Sequence, residues 1–164
     1  MTRSPDRRSP RIFTSTETRG IEPDDINRLF KRAGLPPRDP EKWQTSLKYS
    51  LFCITAREIT TRELVGFMRA SGDGVFNVTL WDFVVDPRLK NQEETQEMIL
   101  DRLQREVQRS FSRCSVSLLA KPRQLPLLRR ANFAEERQGI RAMALRQNSI
   151  GYRLRQLRTL DFDT

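Results

Sequence analysis

Residues 80–100 read LWDFVVDPRLKNQEETQEMIL. Leu80, Trp81, Phe83, Val84 and Val85 have the aromatic and β-branched character of a buried strand. Asp86-Pro87 interrupts it, and Ile99, Leu103, Val107 and Phe111 then recur at helical spacing. A strand, a tight loop and an amphipathic helix in that order is the layout of a phosphate-cradling site. The first N–H groups of a helix lack partners and carry partial positive charge, so they attract an anion. Yet this loop holds no glycine, the residue that lets a backbone come closest to a phosphate.

Working outward, the strand extends back to Val75, and Gly72-Asp73-Gly74 before it is a turn. Residues 64–70 and 51–56 (LFCITA) read as further strands, with a turn at 60–62, and residues 11–14 as a short first strand. Glu22-Pro23-Asp24-Asp25 opens a helix, because Pro suits the first turn and acids suit its positive end. Ile26, Leu29 and Phe30 are its apolar face and Gly34 stops it; Asp39-Pro40 starts a second helix through Trp43 and Leu47. Downstream, residues 115–119 read as a strand, 125–130 as a short helix, Phe133 as the start of a return strand and 140–145 as the last strand. Residues 149–160 form a basic, helix-like tail with Ile150, Leu154 and Leu157 on one side. The pattern is α+β and, at 164 residues, a single domain.

Composition narrows the function classes. No histidine is present, which excludes His-based triads and His-rich metal sites, and no metal ligand set is expected. Cys53 and Cys114 lack CxxC spacing and read as reduced, buried thiols of a cytoplasmic protein. No stretch reaches the roughly 20 apolar residues of a membrane span. The opening MTRSPDRRSP has charge without an apolar run behind it, so it reads as a flexible basic arm and not as a secretory signal. Net charge is +9, which favours acidic partners.

The segments FNVTL, WDFVVDP and, further upstream, VGFMRASGD resemble the central strands of the GNAT family of N-acetyltransferases, in particular its small cyanobacterial and plastid members. The resemblance spans about residues 11–146, leaving the arm at 1–10 and the tail at 147–164 outside it. It implies one domain with a mixed, mostly antiparallel sheet flanked by helices, and acetyl-CoA as cofactor. In that family the strand runs into a Q/R-x-x-G-x-G/A loop that holds the pyrophosphate. The matching positions here are Lys90 to Thr95, with Asn91, Glu93 and Thr95 where the family favours glycine. The backbone of Val84 and Val85 would pair with the pantetheine arm. A later F-Y-x-x-x-G-F motif carries the tyrosine that reprotonates the thiolate. Leu128 stands at that tyrosine position and cannot donate a proton, and Asn132 stands at the glycine.

The residues themselves suggest what replaced the clamp. Asn91 and Glu94 fit an N-x-x-E capping box, which would close the helix start on itself and leave Glu93 and Glu94 repelling a pyrophosphate. The competing reading rebuilds a phosphate site from Arg88 and Lys90. Asp82 is a candidate base, with sheet pairing as its plainer role. On this basis the expected protein is a degenerate acetyltransferase, with weak or no acetyl-CoA binding, serving as a binding or regulatory module for an acidic partner. An active N-acetyltransferase with an atypical loop and an RNA- or ribosome-associated protein are the alternatives. The partner face is expected at Arg102, Arg105, Arg109 and Arg113, a stripe along the long helix, together with Arg153, Arg155 and Arg158 of the tail.

Overall fold

The structure, a computed structural model, describes residues 11–17 and 19–135. A compact unit runs to Ala134; a second unit, from Glu135 to Thr164, is described only at Glu135. The elements are β1 Ile12–Glu17, α1 Pro23–Arg32, α2 Pro40–Lys48, β2 Phe52–Glu58, β3 Leu64–Ser71, β4 Asn77–Val85, α3 Gln92–Ser110, β5 Ser115–Leu118, a 3-10 turn at Pro122–Gln124 and α4 Leu125–Arg130. This is the expected order up to α4. The first strand is longer than expected, and Phe111 caps α3 from outside the helix. Residues 133–135 form no strand, so the return strand does not begin at Phe133; its remainder, the strand at 140–145, the arm and the tail lie outside the described residues.

The sheet runs β1-β2-β3-β4-β5, antiparallel except that β5 lies parallel to β4. It is mixed and mostly antiparallel, as the resemblance implies. Period-2 alternation divides the apolar residues between two faces. Ile54, Met68, Ala70, Val78, Leu80 and Val85 pack with Ile99, Leu100 and Leu103 of α3 and with Leu127 and Leu128 of α4. On the other face Cys53, Leu64, Phe67 and Val84 pack with Ile26, Leu29, Phe30 and Trp43 of α1 and α2. Burial of each large apolar side chain contributes about 1.5–3 kcal/mol. Gly66 gives Ile99 of α3 its place against the sheet: a Cβ there would stand 2.7 Å from Ile99 Cδ1 and 3.0 Å from Ala56 Cβ.

Local chemistry fixes the α1–α2 connection. Asp39 caps α2 by accepting from the N–H groups of Glu41 and Lys42 at 2.8 and 3.2 Å. Asn27 of α1 accepts from the Arg38 N–H at 2.9 Å and from Trp43 Nε1 at 3.0 Å, and donates to the Arg38 carbonyl at 2.8 Å. Trp43 then meets Phe30 and Phe67 edge-on, at 5.5 and 6.0 Å between ring centres. The loop carrying Arg38 is thereby held above the sheet.

Two features of β4 shape the site. Its register against β3 shifts between Phe67 and Arg69, where Asp82 takes φ +57°, a left-handed conformation in which most residues are strained. And β5 pairs only with Asn77, Val78, Thr79 and Leu80. Beyond Leu80, no strand of the described residues lies along that edge of β4.

Candidate functional site

The route from β4 into α3 is held by Asp86, whose side chain is 2% exposed. Its N–H donates to the Val65 carbonyl at 2.8 Å. Its carboxylate accepts from Arg32 Nε at 2.6 Å, from the Arg88 guanidinium at 2.8 Å and from the Arg88 N–H at 3.0 Å. Burial works to raise the Asp86 carboxyl, but the Arg88 hydrogen bonds and the charges of Arg32 and Arg88 outweigh it and hold it below the usual carboxylate range. Arg32 also pairs with Glu63 at 2.7 Å. Arg88 is therefore committed to the loop itself. Of the two cations considered for a rebuilt phosphate site, only Lys90 is exposed and without an ion-pair partner among the described residues.

The expected capping box does not form. Asn91 is the N-cap residue, but its side chain accepts from no N–H of the first turn. Its backbone, at φ −105° and ψ 42°, leaves Oδ1 buried with no donor, while Nδ2 points to Glu94 at 3.4 Å. The N–H groups of Gln92, Glu93 and Glu94 consequently have no acceptor among the described residues, and the helix start is open. Nor does Glu93 cover it. Arg130 of α4 takes the Glu93 carboxylate and also faces Glu97 at 3.4 Å. Thr95 is fully buried, with Oγ1 donating back to the Asn91 carbonyl at 3.0 Å. Only Glu94 remains near the opening.

Val84 and Val85 lie on the half of β4 whose outer edge is unpaired among the described residues, and they continue directly into this loop. At the bulge Asp82 accepts from Arg69 Nε at 2.6 Å and from the Arg38 guanidinium at 2.7 Å. Both oxygens are engaged, which is the pairing role and leaves little for a base to do. Arg38 stacks on Trp43 and Phe30, at 4.9 and 5.2 Å to the ring centres. Trp81, 38% exposed, donates from Nε1 to Ser71 at 2.8 Å. Sequence reading missed Arg38, Arg69 and Asn27. The one local signal was an arginine directly before the Asp-Pro helix start.

Leu128 is 3% exposed and part of the core under α3. Asn132, at the family's glycine position, adopts φ +64°, so a left-handed residue is needed there and asparagine supplies it. Tyr49 is 72% exposed at the end of α2, and Tyr152 lies outside the described residues. Two of the four arginines of the stripe have partners within the chain. Arg102 donates to the Thr14 carbonyl at 2.9 Å, Arg109 pairs with Glu106 at 2.7 Å, and Arg113 lies past the end of α3. Arg105 alone of the four is exposed on α3 without a partner among the described residues. Arg153, Arg155 and Arg158 lie outside them. Of the two cysteines, Cys53 is buried and Cys114 half-buried, with its thiol 3.4 Å from the Val75 carbonyl. Among the described residues there is no cluster able to hold a metal ion, and no helix is long and apolar enough to cross a membrane.

No protein-family model matches the chain. GCN5-related N-acetyltransferase 1, chloroplastic, of Arabidopsis thaliana is 33% identical over 126 residues, covering 77% of this chain and 63% of that protein. Serotonin N-acetyltransferase 2, chloroplastic, of Oryza sativa subsp. japonica is 31% identical over 139 residues, covering 84% of this chain and 66% of that protein. The chain thus spans just under two thirds of the length of these relatives. Among solved structures, a GNAT-family acetyltransferase of Streptococcus pneumoniae superposes with TM-score 0.65 at 19% identity, over 85% of this chain and all of that one. A GNAT-family N-acetyltransferase of Escherichia coli in complex with CoA superposes with TM-score 0.56 at 14% identity, over 73% of this chain and 68% of that one. By its fold and by its likeness to these proteins, the chain belongs to the GNAT family.

Proposed function

We propose that the chain binds acetyl-CoA along the free edge of β4 and at the start of α3, and passes the acetyl group to an amine. The observation that carries this reading is the open helix start: three N–H groups without an acceptor among the described residues, at the end of a strand whose outer edge is also unpaired among them. Peptide-like amides of the pantetheine arm suit the edge at Val84 and Val85. The N–H groups of Gln92, Glu93 and Glu94, with Lys90 beside them, suit the pyrophosphate. Asn91 Oδ1, buried without a donor, suits an N–H or O–H of the cofactor. Side chains in place of glycines weaken this grip without closing it.

In the transfer, the thioester C–S bond breaks and a C–N bond forms. The amine loses a proton and the leaving thiolate gains one. With Leu128 in the core and Asp82 engaged by two guanidiniums, the described residues orient the reactants and leave both proton movements to water. The cofactor supplies the activated acyl group.

A second reading has support in the same Leu128: a degenerate acetyltransferase kept as a binding or regulatory module, with an acidic protein or RNA meeting the basic residues. A cytoplasmic location is part of the proposal, with the organelle carried in the relatives' own names as the alternative. Thermal denaturation with and without acetyl-CoA decides between the first two. Ligand at 100 times its dissociation constant should add about 2.7 kcal/mol of stability. No rise in melting temperature at millimolar acetyl-CoA would remove the enzyme reading and leave the binding module.

A further inference from the structure

On the α1–α2 face of the sheet, away from the helix start, lies a groove of about 390 Å³ that the acyl-transfer reading does not use. The β1–α1 connection forms one wall with Arg19 and Ile21, the last turns of α2 form the other with Gln44, Leu47 and Lys48, and Cys53 is the floor. Its volume falls within the range of small-molecule sites. Its chemistry is divided: Ile21, Leu47 and Cys53 are apolar, and Arg19 and Lys48 place two exposed cations at the rim. Neither cation faces a carboxylate among the described residues; Lys48 lies against the Tyr49 ring. Glu17, which pairs in register with Cys53, turns its carboxylate to Ser15, Thr55 and Arg57. Desolvation pushes the Cys53 thiol up to about 11, so the floor is an inert apolar surface, not a nucleophile.

The sheet register ties this groove to the bulge. Cys53 pairs with Arg69, and Arg69 pairs with Trp81, so the three share one face in one row. Two strand spacings separate the floor of the groove from Trp81 and the adjoining Asp82, which is about 10 Å.

We propose that the groove is the acceptor's subsite, and that the acceptor is an amine carrying a carboxylate at least about 10 Å from its reactive nitrogen. The carboxylate sits between Arg19 and Lys48, the connecting carbons lie on Ile21, Leu47 and Cys53, and the amine reaches the bulge past Trp81. This rests on the acyl-transfer reading. Two sources share the chemistry. One is a peptide whose third residue is acidic, since three extended residues span about 10 Å. The other is a straight-chain ω-amino acid.

The test is direct binding, measured by calorimetry on the whole chain without cofactor. The probes are the tripeptide Ala-Ala-Glu against Ala-Ala-Gln, both amidated at the C-terminus, and aminooctanoate against octylamine. At least one acidic probe should bind about tenfold tighter than its neutral mate, the scale of a charge-assisted contact. The preference should fall within about twofold in the double variant Arg19→Gln/Lys48→Gln, which alters exposed side chains only. The preferred pair identifies the source. Equal binding of acidic and neutral probes, or a preference that survives the double variant, overturns the proposal. Acetyl-CoA melting shifts are measured alongside. If acetyl-CoA binds and the acid preference is missing, this inference fails and the function reading stands. If the preference is present and acetyl-CoA does not bind, the function reading fails and takes the acceptor assignment with it.

Discussion

Replacing Asp86 by Asn tests whether the loop leading into α3 is held by charge. The side chain is 2% exposed and faces Arg32, itself only 14% exposed. Removing one partner of a buried pair costs about 3–5 kcal/mol, because the remaining charge stays desolvated. Arg32 keeps Glu63 at 2.7 Å and the Leu64 carbonyl at 2.5 Å, which argues for the low end. Arg88 is 62% exposed and falls back on water. The expected loss is about 3 kcal/mol, or roughly 10 °C in melting temperature for a domain of this size. Urea and thermal denaturation of the two proteins, repeated from pH 7 to pH 3, provide the measurement. Asp86 is held below its ordinary range in the fold, so its stabilisation is complete above the unfolded value near 3.9 and is lost as pH falls through the lower folded value. The gap between wild type and Asp86→Asn should therefore stay constant from pH 7 to about pH 5 and narrow only below about pH 4. A gap under about 1 kcal/mol at pH 7, or one that acid leaves unchanged, would refute the charge-held loop.

Three further outcomes follow from the site. Arg130→Gln frees Glu93 to lie over the start of α3, and a carboxylate about 6 Å from a phosphate at an effective dielectric near 40 costs about 1.4 kcal/mol, so acetyl-CoA should bind about tenfold more weakly by calorimetry, while Glu93→Gln should not weaken it. Leu128→Ala empties a core position and should cost about 2–5 kcal/mol in urea denaturation, yet leave saturating acetyl-CoA able to raise the melting temperature. If water carries both protons, kcat/KM for an amine acceptor should rise about tenfold per pH unit up to the acceptor's own pKa; a plateau well below that value would point to an enzymic base.

The fold was largely readable because it rests on short-range patterns. The pair of proline-started helices, the turn glycines and the apolar alternation of 75–85 each act within a few residues, and each appears in the structure close to its expected place. The site was less readable because its contacts join distant positions. Arg38 meets Asp82 across 44 residues, and Arg102 meets Thr14 across 88. A list of arginines on one helix face suggests a cationic stripe, but it cannot show that one guanidinium is spent on a strand carbonyl and another on a neighbouring glutamate. The N-x-x-E pattern failed for a related reason. A capping box needs the cap residue in extended geometry, so that its side chain can turn back to the N–H groups. Asn91 follows a loop whose path is set by Asp86, Arg32 and Arg88, and its ψ of 42° turns the side chain elsewhere.

Glycines in a phosphate loop serve two separate needs, and separating them changes what their absence means. One need is a backbone at positive φ. None of Asn91, Glu93 and Thr95 is among the positive-φ residues of the described chain, so no glycine is required for that purpose. The other need is clearance, the removal of side chains from the path of the ligand. Here the side chains are present but drawn aside: Glu93 to Arg130 on α4, and Thr95 onto the Asn91 carbonyl. Clearance by tethering depends on its tether. A glycine loop stays open whatever α4 does, whereas this one is open only while Arg130 holds Glu93. The arginine on α4 thereby becomes part of the cofactor site without needing to touch the cofactor, and a change in α4 that leaves the loop sequence intact should be felt as a change in acetyl-CoA affinity.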